Sequence, residues 1–304
     1  MSYHILHLLS PNLRVRLKLD QLHVTDTEKG TEHTVPLADV AVIISAAQDL
    51  TVTAGALRRM AELNVLFLVC NERFEPCSMT LPYYRATNTE LLRRQVEWTN
   101  DWKLAVWRKV ITAKVRNQAA VPGNLHRVRD LLATIAERCS AGEIHPDAAE
   151  SRAARNYWRH LLHRMGTDEK TREPGTRKGV NGMLDYGYAV VRTAVLRSLA
   201  AHGLIAALGI AHSAKAGSFA LADDLMEPLR PWLDAELLRH LNDGGKPGEM
   251  STWIPLAAGL LTKDVLVDKS KVRFLPAVDM YVESFANACI ARAPLPLRIP
   301  MLSM

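Results

Sequence analysis

Between Leu13 and Leu19 the chain alternates strictly, with Leu13, Val15, Leu17 and Leu19 set against Arg14, Arg16 and Lys18. A period of two puts successive side chains on opposite faces of a strand, so this segment is predicted to be half-buried with a basic outer face. Tyr3–Leu9, Gln21–Thr25, Glu32–Pro36 and Val40–Ser45 read as further short strands between turn-forming residues, among them Glu28-Lys29-Gly30. Thr53 can cap a helix that runs to about Leu63, and Asn64–Cys70 returns as an apolar strand. The chain up to Pro82 therefore predicts a small sheet domain with one helix.

Past Pro82 the period changes. In Glu90–Gln118, residues Leu91, Val96, Trp98, Trp102, Val106, Val110, Ile111 and Val115 recur at roughly helical spacing. The polar face of that helix is basic, with Arg93, Arg94, Lys103, Arg108, Lys109, Lys114 and Arg116. Such a face is either solvated or turned to DNA. Pro122-Gly123 interrupts the helix, and others are predicted over Leu125–Cys139, Asp147–Met165, Asn181–His202, Phe219–Arg230 and Pro276–Ala291. Gly203 can end the Asn181 helix in a left-handed turn. Gly166–Val180 is polar and contains glycine and proline, which predicts a long surface loop. The expected class is α+β: a small N-terminal β-rich domain over 1–82, a linker over 83–86, and a larger all-α C-terminal catalytic domain over 87–304.

Composition narrows the function classes. Net charge is +6 with a pI near 9.2, a mild bias toward polyanionic partners. None of the cysteines (Cys70, Cys77, Cys139, Cys289) forms a CxxC pair, so neither a zinc ribbon nor a thioredoxin-like centre is indicated, and reduced thiols are expected. The N-terminal residues lack the pattern of a secretory signal, and no apolar run is long enough to span a bilayer. A cytoplasmic protein is expected.

Three segments carry polar residues where periodicity predicts burial. Glu150 lies four residues before Ala154, in line with Trp158, Leu161 and Met165. A carboxylate there needs a cation, or else the helix end is exposed and Glu150 sits near the positive end of its dipole. His212 follows the apolar run Leu208-Gly209-Ile210-Ala211, where a lone histidine is more often structural than a ligand. Asp224 and Glu227 are three apart and share a helix face, and Pro228 should bend that helix because it lacks an N–H and crowds the preceding turn. Two neighbouring carboxylates need positive charge between them, or else they are surface acids with Arg230 as partner. Two carboxylate helices and one imidazole together suit Mg²⁺ or Mn²⁺. Periodicity alone does not bring His212 to the acids.

The segment from Asn181 to Pro231 carries a resemblance. Asn181-Gly-Met-Leu184-Asp-Tyr186-Gly187-Tyr188 is followed by Gly209-Ile-Ala-His212 and by Leu221-Ala222-Asp223-Asp224-Leu225-Met226-Glu227-Pro228. Upstream stands Glu150-Ser-Arg-Ala153-Ala154-Arg-Asn-Tyr157-Trp158. In this order these motifs resemble the CRISPR-associated endonuclease/integrase of spacer acquisition, the Cas-one family. The Trp107–Gln118 helix is similar to one found in its type II branch. Trp158 stands where the family often has phenylalanine, and Ala211 where type II members often have a second histidine.

The resemblance implies that Glu150, His212 and Glu227 are the metal ligands and catalytic residues, with Asp224 as an auxiliary catalytic acid. It implies insertion of new spacers into a CRISPR array by attack of a DNA 3′-hydroxyl on a phosphodiester of the repeat. The implied partners are double-stranded DNA (prespacer and repeat), a second copy of the chain meeting it through the N-terminal sheet, and the small Cas-two protein. Two other functions suit the same residues in part: a branched-DNA repair nuclease, which shares the chemistry, and a non-catalytic DNA-binding scaffold, which shares the charge.

Overall fold

A computed structural model describes residues 4–70, 76–80, 88–121, 123, 125–167, 169, 171–176, 178–212 and 219–302. The expected linker at 83–86, and Arg177 of the polar loop, lie outside the described residues. Chain contacts divide the protein into two units: Met1–Asn88 with Ala200–Gly203, and Thr89–Leu199 with Leu204–Met304.

The first unit holds two four-stranded sheets. One contains β1 (His4–Leu8), β5 (Val40–Ser45), β7 (Leu66–Cys70) and β8 (Pro76–Thr80) in that order. Its first three strands are parallel, and β8 returns antiparallel to β7. The other sheet has the order β4 (Thr31–Pro36), β3 (Gln21–Asp26), β2 (Leu13–Lys18) and β6 (Leu50–Val52), in which β2, β3 and β4 form an antiparallel meander. Leu19 and Asp20 make the tight β2–β3 turn with φ of 52° and 58°, the left-handed pair that matches hairpin twist. Helix α1 (Ala54–Glu62) starts where Thr53 Oγ1 accepts the Ala56 N–H at 3.4 Å, and ends on Asn64 at φ 56°.

Alternation works as predicted on β2: Leu13 and Val15 are buried with Leu22, Val24, Val40, Ile43, Met60 and Phe67, while Arg14, Arg16 and Lys18 face out. The basic face is partly neutralised. Glu32 accepts from His23 Nδ1 at 2.8 Å, from Thr25 at 3.0 Å and from Arg16 at 2.8 Å, which holds its carboxyl down at about 2.

In the second unit the expected helix over 90–118 is two helices. α2 (Thr89–Val96) stops, and Thr99 Oγ1 caps α3 (Asn100–Ala120) by accepting the Trp102 N–H at 3.2 Å. The apolar spacing of the two helices runs through the break, so periodicity alone did not reveal it. Then follow α4 (His126–Ser140), α5 (Pro146–Arg164), α6 (Gly179–His202), α7 (Ala220–Met226), α8 (Arg230–Asn242), α9 (Met250–Gly259) and α10 (Phe274–Ala291). The C-terminal part is mostly helical, but not wholly: β9 (Asp264–Val267) and β10 (Ser270–Arg273) form a hairpin, and Met301 bridges to Leu266 of β9. Among the described residues no helix is long and apolar enough to cross a membrane. Among the described residues Cys70, Cys139 and Cys289 are in no disulfide.

α3 is buried on nearly every side, with Trp102, Val106, Trp107, Val110, Ile111, Lys114, Val115, Asn117 and Gln118 all buried. A helix enclosed this way is the axis of its domain, and α4, α5, α8 and the turn after α7 pack on it. This overturns part of the predicted basic face. Arg108 donates to the carbonyls of Cys139 (2.8 Å) and Ile144 (3.1 Å), so it fastens the α4–α5 turn. Lys114 is buried outright.

A second fastening is polar and fully enclosed. Asp234 on α8 accepts from Tyr157 on α5 at 2.7 Å and from Tyr188 on α6 at 2.5 Å. Burial raises the Asp234 carboxyl to about 6, more than the two tyrosine hydrogen bonds and the nearby Arg230 and Arg172 charges lower it. A carboxyl whose pKa is higher folded than unfolded favours folding while protonated. That contribution is complete below the unfolded value of 3.8 and fades as pH rises to about 6. Asp234→Asn removes the titration. Urea unfolding from pH 4 to pH 8 should show the variant gaining on the wild type by about 3 kcal/mol between roughly pH 4 and 6, with no further change above that.

Candidate active site

Glu227 owes its position to Pro228. Proline has no N–H to continue the α7 ladder, and the Glu227 N–H instead bonds the Asp224 carbonyl three residues back. The helix tightens into a 3-10 turn over Glu227–Leu229, and α8 restarts at Arg230. The predicted bend at Pro228 is this turn. Asn117 of α3 holds it, donating to the carbonyls of Pro228 (2.7 Å) and Pro300 (3.0 Å) and accepting the Leu302 N–H at 3.0 Å.

Glu150 is placed by the start of α5. Pro146 occupies the first turn of that helix, where its missing N–H is no loss. Trp107 Nε1 donates to Asp147 at 2.8 Å, and seven residues further along the same face of α3, Lys114 donates to Glu150 at 2.6 Å. The buried stripe of α5 is Ala149, Ala153, Tyr157 and Leu161. Glu150 flanks it, with Ala154 and Trp158, and its side chain keeps 29% exposure.

The same Lys114 ammonium also pairs with Glu227. Glu227 is 2% exposed, and Arg230 reaches its other oxygen at 3.1 Å. Burial pushes the Glu227 carboxyl up, but the charges of Arg230 and Lys114 outweigh this and leave it below the ordinary glutamate value.

Asp224 has a separate solution. It is completely buried, and its oxygens accept three successive backbone N–H groups, from Ile210 (2.5 Å), Ala211 (3.1 Å) and His212 (3.2 Å). The His212 ring Nδ1 closes on the same carboxylate at 2.5 Å. This hydrogen bond raises the His212 pKa; burial opposes it, and the charges of Asp224, Glu227 and Glu150 add to it. With Nδ1 committed to Asp224, Nε2 is the ring nitrogen left to bind a ligand, and the Trp107 ring stands perpendicular to the imidazole with centroids 6.0 Å apart. Gly209 is required for the loop. A β-carbon there would strike the His212 carbonyl oxygen and stand 2.9 Å from both Ala220 Cβ and Asp224 Oδ2.

An open cleft of about 400 Å³ runs over this arrangement, lined by Lys103, Trp107, Asp147, Glu150 and His212 among others. Glu227 is not on its wall. Among the described residues no three histidine, cysteine or carboxylate side chains already stand in a ligand cluster. What the site does show is a cation between two carboxylates: the Lys114 ammonium occupies the point where Glu150 and Glu227 converge. The donor set of two carboxylates and an oriented imidazole suits a hard divalent ion or manganese.

Periodicity suggested that Asp224 and Glu227 share one positive partner. The structure gives each its own, with Asp224 met by backbone and imidazole and Glu227 by Lys114 and Arg230. Lys114 lies in the core and not on the outer basic face that charge predicts; the signal for this is a lysine within the apolar run Val110, Ile111, Val115. Tyr157 and Tyr188 fall within the quoted motifs, but nothing in the chain marks Asp234 as their shared partner. In the polar loop, Arg172 turns inward to Asn181 (2.7 Å), Asp185 and the Tyr188 ring, while Lys178 is exposed.

A family model for CRISPR associated protein Cas1 matches residues 6–250. The CRISPR-associated endonuclease Cas1 of Neisseria meningitidis serogroup C (strain 8013) is 30% identical over 289 residues, covering 94% of this chain and 92% of that protein. In fold, the chain is similar to a casposase bound to its integration product, with a TM-score of 0.79 at 19% identity and coverage of 95% of this chain and 91% of that one. It is also similar to a chain of a partial Cas6-RT-Cas1–Cas2 complex, with a TM-score of 0.64 at 16% identity and 98% coverage of both chains.

The Asp224 loop makes two predictions. Gly209→Ala should keep the global fold, at a stability cost of about 1–3 kcal/mol by thermal unfolding, while moving His212 off its carboxylate. Asp224→Asn should lower the His212 pKa, measured from the imidazole carbon-bound proton shifts in an NMR titration.

Proposed function

The chain belongs to the CRISPR-associated Cas1 family, and on that premise we propose that it is a divalent-metal-dependent DNA endonuclease and strand transferase that inserts new spacers into a CRISPR array. The observation that carries this is the pair Glu150 and Glu227, drawn from different helices onto one cation beside an imidazole that its own carboxylate orients.

Glu150, Glu227 and His212 Nε2 would hold Mg²⁺ or Mn²⁺. When bound, the ion would polarise the phosphate oxygens and stabilise the negative charge that develops on the reacting oxygens. The chain's own residues do the positioning. Asp224 fixes the ring plane and tautomer of His212, keeping Nε2 unprotonated when the imidazole is neutral. Arg230 and Asn117 hold the turn that carries Glu227. In the reaction a DNA 3′-hydroxyl oxygen forms a bond to phosphorus, the bond to the repeat strand's 3′-oxygen breaks, and the proton lost by the attacking hydroxyl is balanced by one gained at the leaving oxygen. Hydrolytic nicking is the same exchange with water. No side chain forms a covalent link to DNA.

Phosphates would run along the cleft past Lys103, with Lys109, Arg116 and Lys178 as further contacts. The proposed assembly is a homodimer through the first unit's sheets, joined by Cas2 and acting on prespacer and repeat DNA in the cytoplasm. The fold likeness to a chain of a Cas1–Cas2 complex supports the Cas2 part.

His212→Ala and Glu227→Ala should each lower Mn²⁺-dependent integration of a free-ended duplex into a repeat-bearing plasmid by about a hundredfold or more. Undiminished integration by both variants would sink the metal site. Cleavage of branched DNA with no integration would instead favour a repair nuclease. Lys103→Glu should weaken DNA binding and reduce the slope of log affinity against log salt by about one, in a fluorescence anisotropy titration.

A further inference from the structure

Lys114 is hard to account for as a simple core residue. It lies 8% exposed on the central helix, and its ammonium bridges Glu150 and Glu227, residues 77 positions apart in sequence. A buried lysine is tolerated only when its charge is paired, and here both partners are the carboxylates assigned to the metal.

The charges around Glu227 balance without a metal. Glu150 and Glu227 supply two negative charges, and Lys114 and Arg230 supply two positive ones. Asp224 is not available to change that count, because its oxygens are taken up by the 210–212 backbone and His212. Adding a divalent ion to this neutral set would leave two excess positive charges in a poorly solvated place, with an ammonium in contact with the same oxygens. The arriving ion and Lys114 therefore compete for Glu150 and Glu227. Arg230 is not an equivalent competitor. It holds only Glu227, from the side of the other oxygen, and its guanidinium is anchored over the Tyr188 ring at 5.0 Å.

On the premise of the metal site proposed above, we propose that Lys114 is a built-in counter-cation that keeps the metal-free site folded and must be displaced when the divalent ion loads. It is a positioning residue. It holds Glu150 on α5 and Glu227 after α7 together before the ion arrives, and it weakens the affinity of the free protein for that ion. Displacement also frees an ammonium next to the cleft that Glu150 lines.

Two measurements test this on the full chain. Lys114→Gln and Lys114→Met should bind Mn²⁺ about tenfold or more tightly than the wild type by isothermal titration calorimetry. Their thermal midpoints should fall without metal and recover more than the wild type's when Mn²⁺ is added. Equal or weaker Mn²⁺ affinity in both variants would overturn the proposal. A variant too unstable to assay does not decide the matter, because the wild type carries its own readout. Labelling by an amine-reactive succinimidyl ester, mapped by mass spectrometry, should leave Lys114 protected without metal and label it at saturating Mn²⁺. Unchanged protection at saturation would overturn the proposal. The metal site itself is checked in parallel with Glu227→Gln. If the wild type binds no Mn²⁺, or Glu227→Gln binds it equally well, the metal site has failed. If the wild type binds Mn²⁺, Glu227→Gln does not, and Lys114 stays protected, only the role of Lys114 has failed.

Discussion

A buried carboxylate needs positive charge or hydrogen-bond donors, and Glu227 is met by charge. At 2% exposure it could not remain ionised on its own. Lys114 and Arg230 approach it from two sides, and breaking such a buried pair from one side costs about 3–5 kcal/mol. Each partner ties a different element to the turn after α7. Lys114 brings α3 and, through Glu150, α5. Arg230 opens α8 and lies over Tyr188 of α6. The charge that would hold a metal therefore also organises the helices around it.

α3 works as the ruler for this arrangement. Trp107, Arg108, Lys114 and Asn117 lie along it, and each grips a different feature: the first turn of α5, the α4–α5 turn, the paired glutamates, and the Pro228 carbonyl with the Pro300 carbonyl of the C-terminal segment. A helix enclosed by its neighbours has little freedom to shift, so these four contacts keep a constant spacing. The Tyr157–Asp234–Tyr188 contact ties helices together again two turns along α5 from Glu150. It accepts the cost of an enclosed carboxyl in return for linking three helices at one point.

His212 is organised differently, by a loop and not by a helix. Successive N–H groups from Ile210 to His212 converge on Asp224, so the backbone that carries the histidine and the carboxylate that orients its ring form one unit. Gly209 permits this by having no side chain where the loop closes on α7. Asp224 thus works through His212, and only His212 and Glu150 of the four expected site residues line the cleft.

Most of the elements were legible in the chain itself, because strand and helix periods, the Thr53 cap, the Gly203 stop and the Pro228 bend are local properties of neighbouring residues. Ordered motifs around Glu150, His212 and Glu227 identified the family. The Thr99 break was hidden by continuous apolar spacing, α8 past Arg230 and α9 were not predicted, and β6, β8 and the β9–β10 hairpin were too short for their alternation to stand out. What local pattern could not decide was which charges meet. Lys114 and Arg108 look like members of an exposed basic row. Only the packing of α3 inside its domain turns one toward two glutamates and the other toward backbone carbonyls. Asp224 and Glu227, neighbours on one face in sequence, end with separate partners because a 3-10 turn falls between them. Charge pairing depends on distances of a few ångströms between residues far apart in the chain, and those distances exist only once the helices have packed.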